Sequence, residues 1–107
     1  MNIETYKPNW EDTKARFTAW WNRSSMGRPL LRVATTREPP LAPDADVPPP
    51  TDLEDKYCNV DRIVAHFRNM ANRTHFLAES YPAVSADLGP GSMALYLGAE
   101  PEFAEST

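Results

Sequence analysis

Six of the eleven prolines fall between residues 37 and 52, in REPPLAPDADVPPPTD. Proline fixes φ and removes a backbone donor, so this stretch can form neither a helix nor a central strand. It reads as a long surface loop beside a site. A proline-rich ligand for a polyproline-reading partner is the alternative, but Pro48-Pro49-Pro50 is short for that role. Regular structure is thus confined to the residues on either side. With 107 residues in all, the chain is long enough for one small domain or part of a larger one.

Charge divides at nearly the same place. The net charge of −4 combines +1 over residues 1–51 with −5 over residues 52–107. Neither part carries a basic field for a phosphate backbone, and no nucleic-acid partner is expected. Arg62, Arg68 and Arg73 are offset by Asp55, Asp61 and Glu79, as on a solvated helix face. No apolar run approaches the ~20 residues of a membrane span. The N-terminus lacks the charged and apolar regions of a secretory signal. A single cysteine excludes a disulfide framework and a Cys-rich zinc module, so a reducing cytoplasm is the expected compartment.

Before the loop, Asn9 reads as an N-cap, with Glu11 and Asp12 favoured in the first turn by the helix dipole. The helix it starts runs over 10–23, with Trp10, Thr13, Phe17, Trp20 and Trp21 at helical spacing. These tryptophans either pack on a larger body or form a ligand- or partner-contacting face. Pro29 then opens Leu30-Leu31-Arg32-Val33-Ala34-Thr35-Thr36, an apolar and partly β-branched run that predicts a buried parallel strand. Arg32 interrupts it and needs solvent, a carboxylate or a ligand.

After the loop, Asn59 or Asp61 starts a helix whose apolar stripe continues to about Glu79. The stripe is Val60, Ile63, Val64, Phe67, Met70, Ala71, Thr74, Leu77 and Ala78, at helical spacing. His66 and His75 would lie on opposite sides of it and could not share a metal, while His75 and Glu79 could pair at i, i+4. Cys58 has no activating neighbour in sequence. Residues 83–88 alternate like a short strand, stopped by Gly89-Pro90-Gly91. Ser92 caps a short helix over 93–97, closed by Gly98. Pro101 to Glu105 suggests another helix beginning.

The predicted order is helix, strand, loop, helix, strand, helix, which argues for a parallel α/β architecture. Two strands leave both sheet edges unpaired. The chain is therefore expected to be the front part of a larger α/β body, or to complete its sheet as a homo-oligomer. Asp87 would stand at the C-terminal end of the second strand, where α/β folds build their sites. It is either a site carboxylate or a turn aspartate.

Two stretches carry a family resemblance. Tyr81-Pro82-Ala83-Val84-Ser85-Ala86-Asp87-Leu88, followed by Ala94-Leu95-Tyr96-Leu97-Gly98-Ala99-Glu100, resembles the uroporphyrinogen decarboxylase superfamily. So does Gly27-Arg28-Pro29-Leu30-Leu31 after an N-terminal helix. The look is closest to decarboxylase-like members related to corrinoid-dependent methyltransferases. It covers essentially all of this chain and the first third or so of a family member. The resemblance implies the N-terminal portion of a (β/α)8 TIM barrel, incomplete as an isolated chain. It also implies a tetrapyrrole or corrinoid ligand, with Asp87 holding pyrrole N–H groups and stabilising a protonated pyrrole.

The family's decarboxylases clamp substrate carboxylates with an Arg-Gln-Ala-Gly-Arg loop. The stretch here is Ala34-Thr35-Thr36-Arg37-Glu38, which leaves Arg37, with Arg32 beside it, for substrate binding. The methyltransferase branch uses zinc bound by later strands, so no metal ligand is assigned in this chain. Decarboxylation or methyl transfer by the parent, with no turnover by these residues alone, is the first expectation. The second is a stand-alone interaction module using the Trp10, Trp20 and Trp21 face and the proline-rich loop.

Overall fold

The computed structural model describes residues 2–85, 87–89 and 91–104. In chain order these form α1 (Ile3–Tyr6), α2 (Trp10–Trp21), β1 (Arg32–Thr36), α3 (Leu53–Cys58), α4 (Val60–Asn72), β2 (Thr74–Ala78) and α5 (Ser92–Tyr96). They fall into two compact units, residues 1–44 with 68–83 and residues 45–67 with 84–107.

In the first unit β1 and β2 pair antiparallel, in register from Arg32 opposite Ala78 to Thr36 opposite Thr74. This overturns the parallel sheet, and with it the reading of the chain as the front of a (β/α)8 barrel. The second strand is not 83–88, whose described residues are irregular; Ala86 lies outside the described residues. Instead it is 74–78, a stretch that keeps the helical period through Thr74, Leu77 and Ala78. The β-branched and aromatic run Thr74-His75-Phe76 nevertheless suits a ladder, and long-range pairing with β1 overrides the local pattern. The Arg37 N–H donates to Arg73 O at 2.8 Å, and the Glu79 N–H to Leu31 O at 2.9 Å, which extends the ladder past both strand ends.

Several helix signals outside that stretch mark real boundaries, but Ser92 does not cap α5: it is the first helical residue, after Gly91, and no side chain caps that end. α2 starts after Asn9, although the Asn9 side chain makes no capping bond. Asn59 caps α4, its Oδ1 accepting from the Arg62 N–H at 3.1 Å. Gly98, at φ 98°, closes α5 as the sequence predicts. Residues 101–104 are not helical. At the end of α2 a non-glycine does the same work as Gly98. Arg23 takes φ 55°. The Ser24 N–H reaches Ala19 O at 2.8 Å, in the Schellman pattern. An L side chain is strained there, so Arg23→Gly is expected to stabilise this unit by up to about 1 kcal/mol, read as a rise in the urea midpoint.

The interior of the first unit is mostly polar. Lys7, Thr13, Asn72, Glu79 and Ser80 are buried, and Ala71 is the one fully buried hydrophobic residue among those described. Aromatic packing surrounds this interior. Tyr81 lies 5.6 Å from Trp10 and 5.7 Å from Phe17, centroid to centroid. The proline-rich loop is tied to its own neighbours. Leu41 N–H donates to Asn72 O, and Arg73 Nε to Asp44 Oδ1 at 2.8 Å, both within the first unit. Within the second unit, Arg62 donates to Pro48 O.

Candidate functional site

The second unit holds an apolar cavity of about 410 Å³. α3 contributes Tyr57 and Cys58, α4 contributes Val60, Ile63 and Val64, and α5 contributes Leu95 and Tyr96. The segment 84–88 completes it with Val84, Ser85, Asp87 and Leu88. Among the described residues of this lining, Asp87 supplies the one carboxylate.

Local bonds hold Asp87 in place. Its Oδ1 accepts from the Gly89 N–H and lies 3.1 Å from Ser92 Oγ. Ser92 Oγ in turn accepts from the Leu88 N–H and reaches Gly89 O, both at 2.8 Å. Gly89 sits at φ 97°, a conformation that glycine adopts without strain. The turn role and the cavity position therefore coexist. Oδ1 organises the turn, while Oδ2 has no partner among the described residues. Asp87 is exposed, so its carboxylate stands at the open side of these apolar walls, where a cationic or N–H-bearing ligand has access to it.

The other expected site residues lie elsewhere. Arg32 and Arg37 belong to the first unit and do not line this cavity. The Arg32 guanidinium lies 5.6 Å from the Tyr81 ring centre, a cation–π contact. Arg37 Nε donates to Thr74 O at 3.3 Å. The tryptophans divide: Trp10 packs on Tyr81, whereas Trp20 and Trp21, 51% and 78% exposed, touch each other at 5.8 Å. His75 is a strand residue and does not pair with Glu79.

Glu79, only 1% exposed, anchors a cluster that sequence reading missed. Arg28 grips both of its oxygens, at 2.8 and 2.6 Å. Arg16 Nε donates at 2.6 Å and the Leu31 N–H at 2.8 Å. The Arg28 hydrogen bonds, aided by Leu31 and Arg16 against the cost of burial, hold the Glu79 pKa down at about 2. Hydrogen bonds to the charged form favour that form, and here they outweigh desolvation. Nearby, the equally buried Lys7 donates to Phe76 O at 3.1 Å and to Ala78 O. Burial lowers its pKa, with Glu79 opposing the shift. Every oxygen of Glu79 is engaged, so the cluster serves structure rather than turnover. No local signal marked it, because the strand it follows keeps a helical period in the sequence.

Among the described residues no three His, Cys, Asp or Glu side chains gather as a metal site, and no helix is long and apolar enough to cross a membrane. The chain matches no family model, no curated protein and no solved structure.

Proposed function

We propose that this chain supplies one wall of a site for a tetrapyrrole or corrinoid ligand, in a protein of the uroporphyrinogen decarboxylase kind. The observation that carries the reading is Asp87, an exposed carboxylate whose Oδ2 has no partner among the described residues, fixed at the edge of an apolar cavity. Apolar walls suit the face of a macrocycle, and a carboxylate suits its N–H groups. Of the stretches that carry the resemblance, 81–88 and 94–100 contribute side chains to this lining, whereas 27–31 belongs to the first unit and does not. Catalysis would need further groups, because one carboxylate can stabilise a pyrrolic cation without completing a decarboxylation or a methyl transfer. The reading assumes a reducing cytoplasm, where the exposed Cys58 thiol persists.

Asp87→Asn tests the reading without dismantling the turn, since the amide keeps Oδ1 and loses the charge. The chain would be titrated with uroporphyrin, the stable oxidised form, and separately with cobalamin, following absorbance. Saturable binding of either, weakened about tenfold or more by Asp87→Asn, is the expected result. Binding of neither, or binding indifferent to the substitution, would sink the proposal.

The exposed Trp20–Trp21 pair favours a second reading, a face that docks another protein. In that case acrylamide quenches both indoles freely in the isolated chain. Shielded indoles would exclude it.

A further inference from the structure

The two edges of the β1–β2 sheet are treated differently. In an antiparallel ladder, alternate residues bond across to the partner strand and the others face outward. The flanking bonds Arg37 N–H to Arg73 O and Glu79 N–H to Leu31 O fix which are which. On β2, Thr74, Phe76 and Ala78 face outward; on β1, Arg32, Ala34 and Thr36 do. All three outward carbonyls of β2 are taken, Thr74 O by Arg37 and Phe76 O and Ala78 O by Lys7. On β1 every residue is exposed, and no described residue bonds to the outward backbone of Arg32, Ala34 or Thr36. One edge is blocked by charged side chains, as natural sheets block edges they do not use, and the other is open.

We propose that the open edge of β1 pairs with the same edge of a second copy, antiparallel about a two-fold axis at Ala34, to give a four-stranded sheet. The inference stands independently of the ligand reading. The edge is self-complementary in the way an isologous interface requires. With Ala34 opposite Ala34, the smallest outward residue lies on the axis. Arg32 then faces Thr36 of the partner subunit and lies beside the partner's Glu38, so opposite charges adjoin twice and no like charges meet directly. Val33 falls opposite Thr35 of the partner subunit, a β-branched pair suited to a ladder. Longer-range association through β2 is prevented by Lys7 and Arg37.

Light scattering over a dilution series of the full chain tests this. The expected mass is twice that of one chain. Ala34→Pro removes an outward donor and no β1–β2 bond, so it should halve the mass while circular dichroism stays unchanged. A cysteine pair reads the register even if that variant fails to fold. In Cys58→Ser/Ala34→Cys the two thiols meet at the axis and cross-link on mild oxidation. In Cys58→Ser/Thr36→Cys they lie about 14 Å apart and do not. A monomeric wild type, a dimeric Ala34→Pro, or equal cross-linking by both cysteine variants would overturn the proposal.

Discussion

Glu79→Gln is expected to lower the stability of the first unit by about 3 kcal/mol. The side chain is buried and receives two bonds from Arg28, one from Arg16 and one from the Leu31 N–H. An amide of the same shape offers one accepting oxygen where the carboxylate offered two. Its NH2 group would then face donors, and both guanidinium groups would lose their counter-charge. Removing one member of a buried ionic cluster costs ~3–5 kcal/mol, and the partial exposure of Arg16 and Arg28 favours the lower end. The urea midpoint reads the loss. The exposed Arg73–Asp44 pair is the internal control, because solvent screens it and Asp44→Asn should barely move the midpoint. Equal shifts for the two substitutions would mean that Glu79 is no more than another surface pair.

The same cluster sets an acid dependence. The folded-state pKa of about 2 lies below the ordinary 4.5, so the unfolded chain takes up this proton first as pH falls. The contribution of Glu79 is therefore complete above about pH 4.5 and is lost as pH drops through about 2. The wild type should show a stability slope across that window that Glu79→Gln lacks. Parallel slopes for the two proteins would contradict the assignment.

The contrast between Asp87 and Glu79 shows what local sequence could reveal. Asp87 stood out because a Gly-Pro-Gly stop follows it, and turn chemistry is encoded within a few residues. The Asn9, Asn59 and Gly98 boundaries were legible for the same reason. Glu79 was hidden because its partners lie 48 to 63 residues away, and no short-range pattern announces them. β2 was hidden differently. Met70, Thr74, Leu77 and Ala78 satisfy helical spacing, and only the ladder with β1 turns that stretch into a strand. The parallel reading failed at the same point, because the true second strand precedes the expected one and runs the other way. Lys7 gave no signal, since a lysine near a terminus is ordinarily solvated.

Lys7→Met is expected to produce the second large effect, on both stability and association. Methionine retains most of the buried stem and removes the ammonium from Phe76 O and Ala78 O. The side chain is only 1% exposed, so two outward carbonyls lose their charged donor and are left unsatisfied until the flexible methionine swings aside for water or another strand. The cost is about 2 kcal/mol after the relief of no longer burying the charge. The association effect follows from where those carbonyls point. With Lys7 in place the sheet has one usable edge, and assembly stops at two copies. With Lys7→Met the β2 edge can also accept a strand, and edge-to-edge pairing no longer closes. Sedimentation velocity should therefore show species heavier than a dimer in Lys7→Met that are absent in the wild type. Adding Ala34→Pro should cut them back to pairs, because only the newly opened edge remains. If Lys7→Met loses stability yet sediments like the wild type, the lysine supports the fold without guarding the edge, and the asymmetry between the two sheet edges does not control assembly.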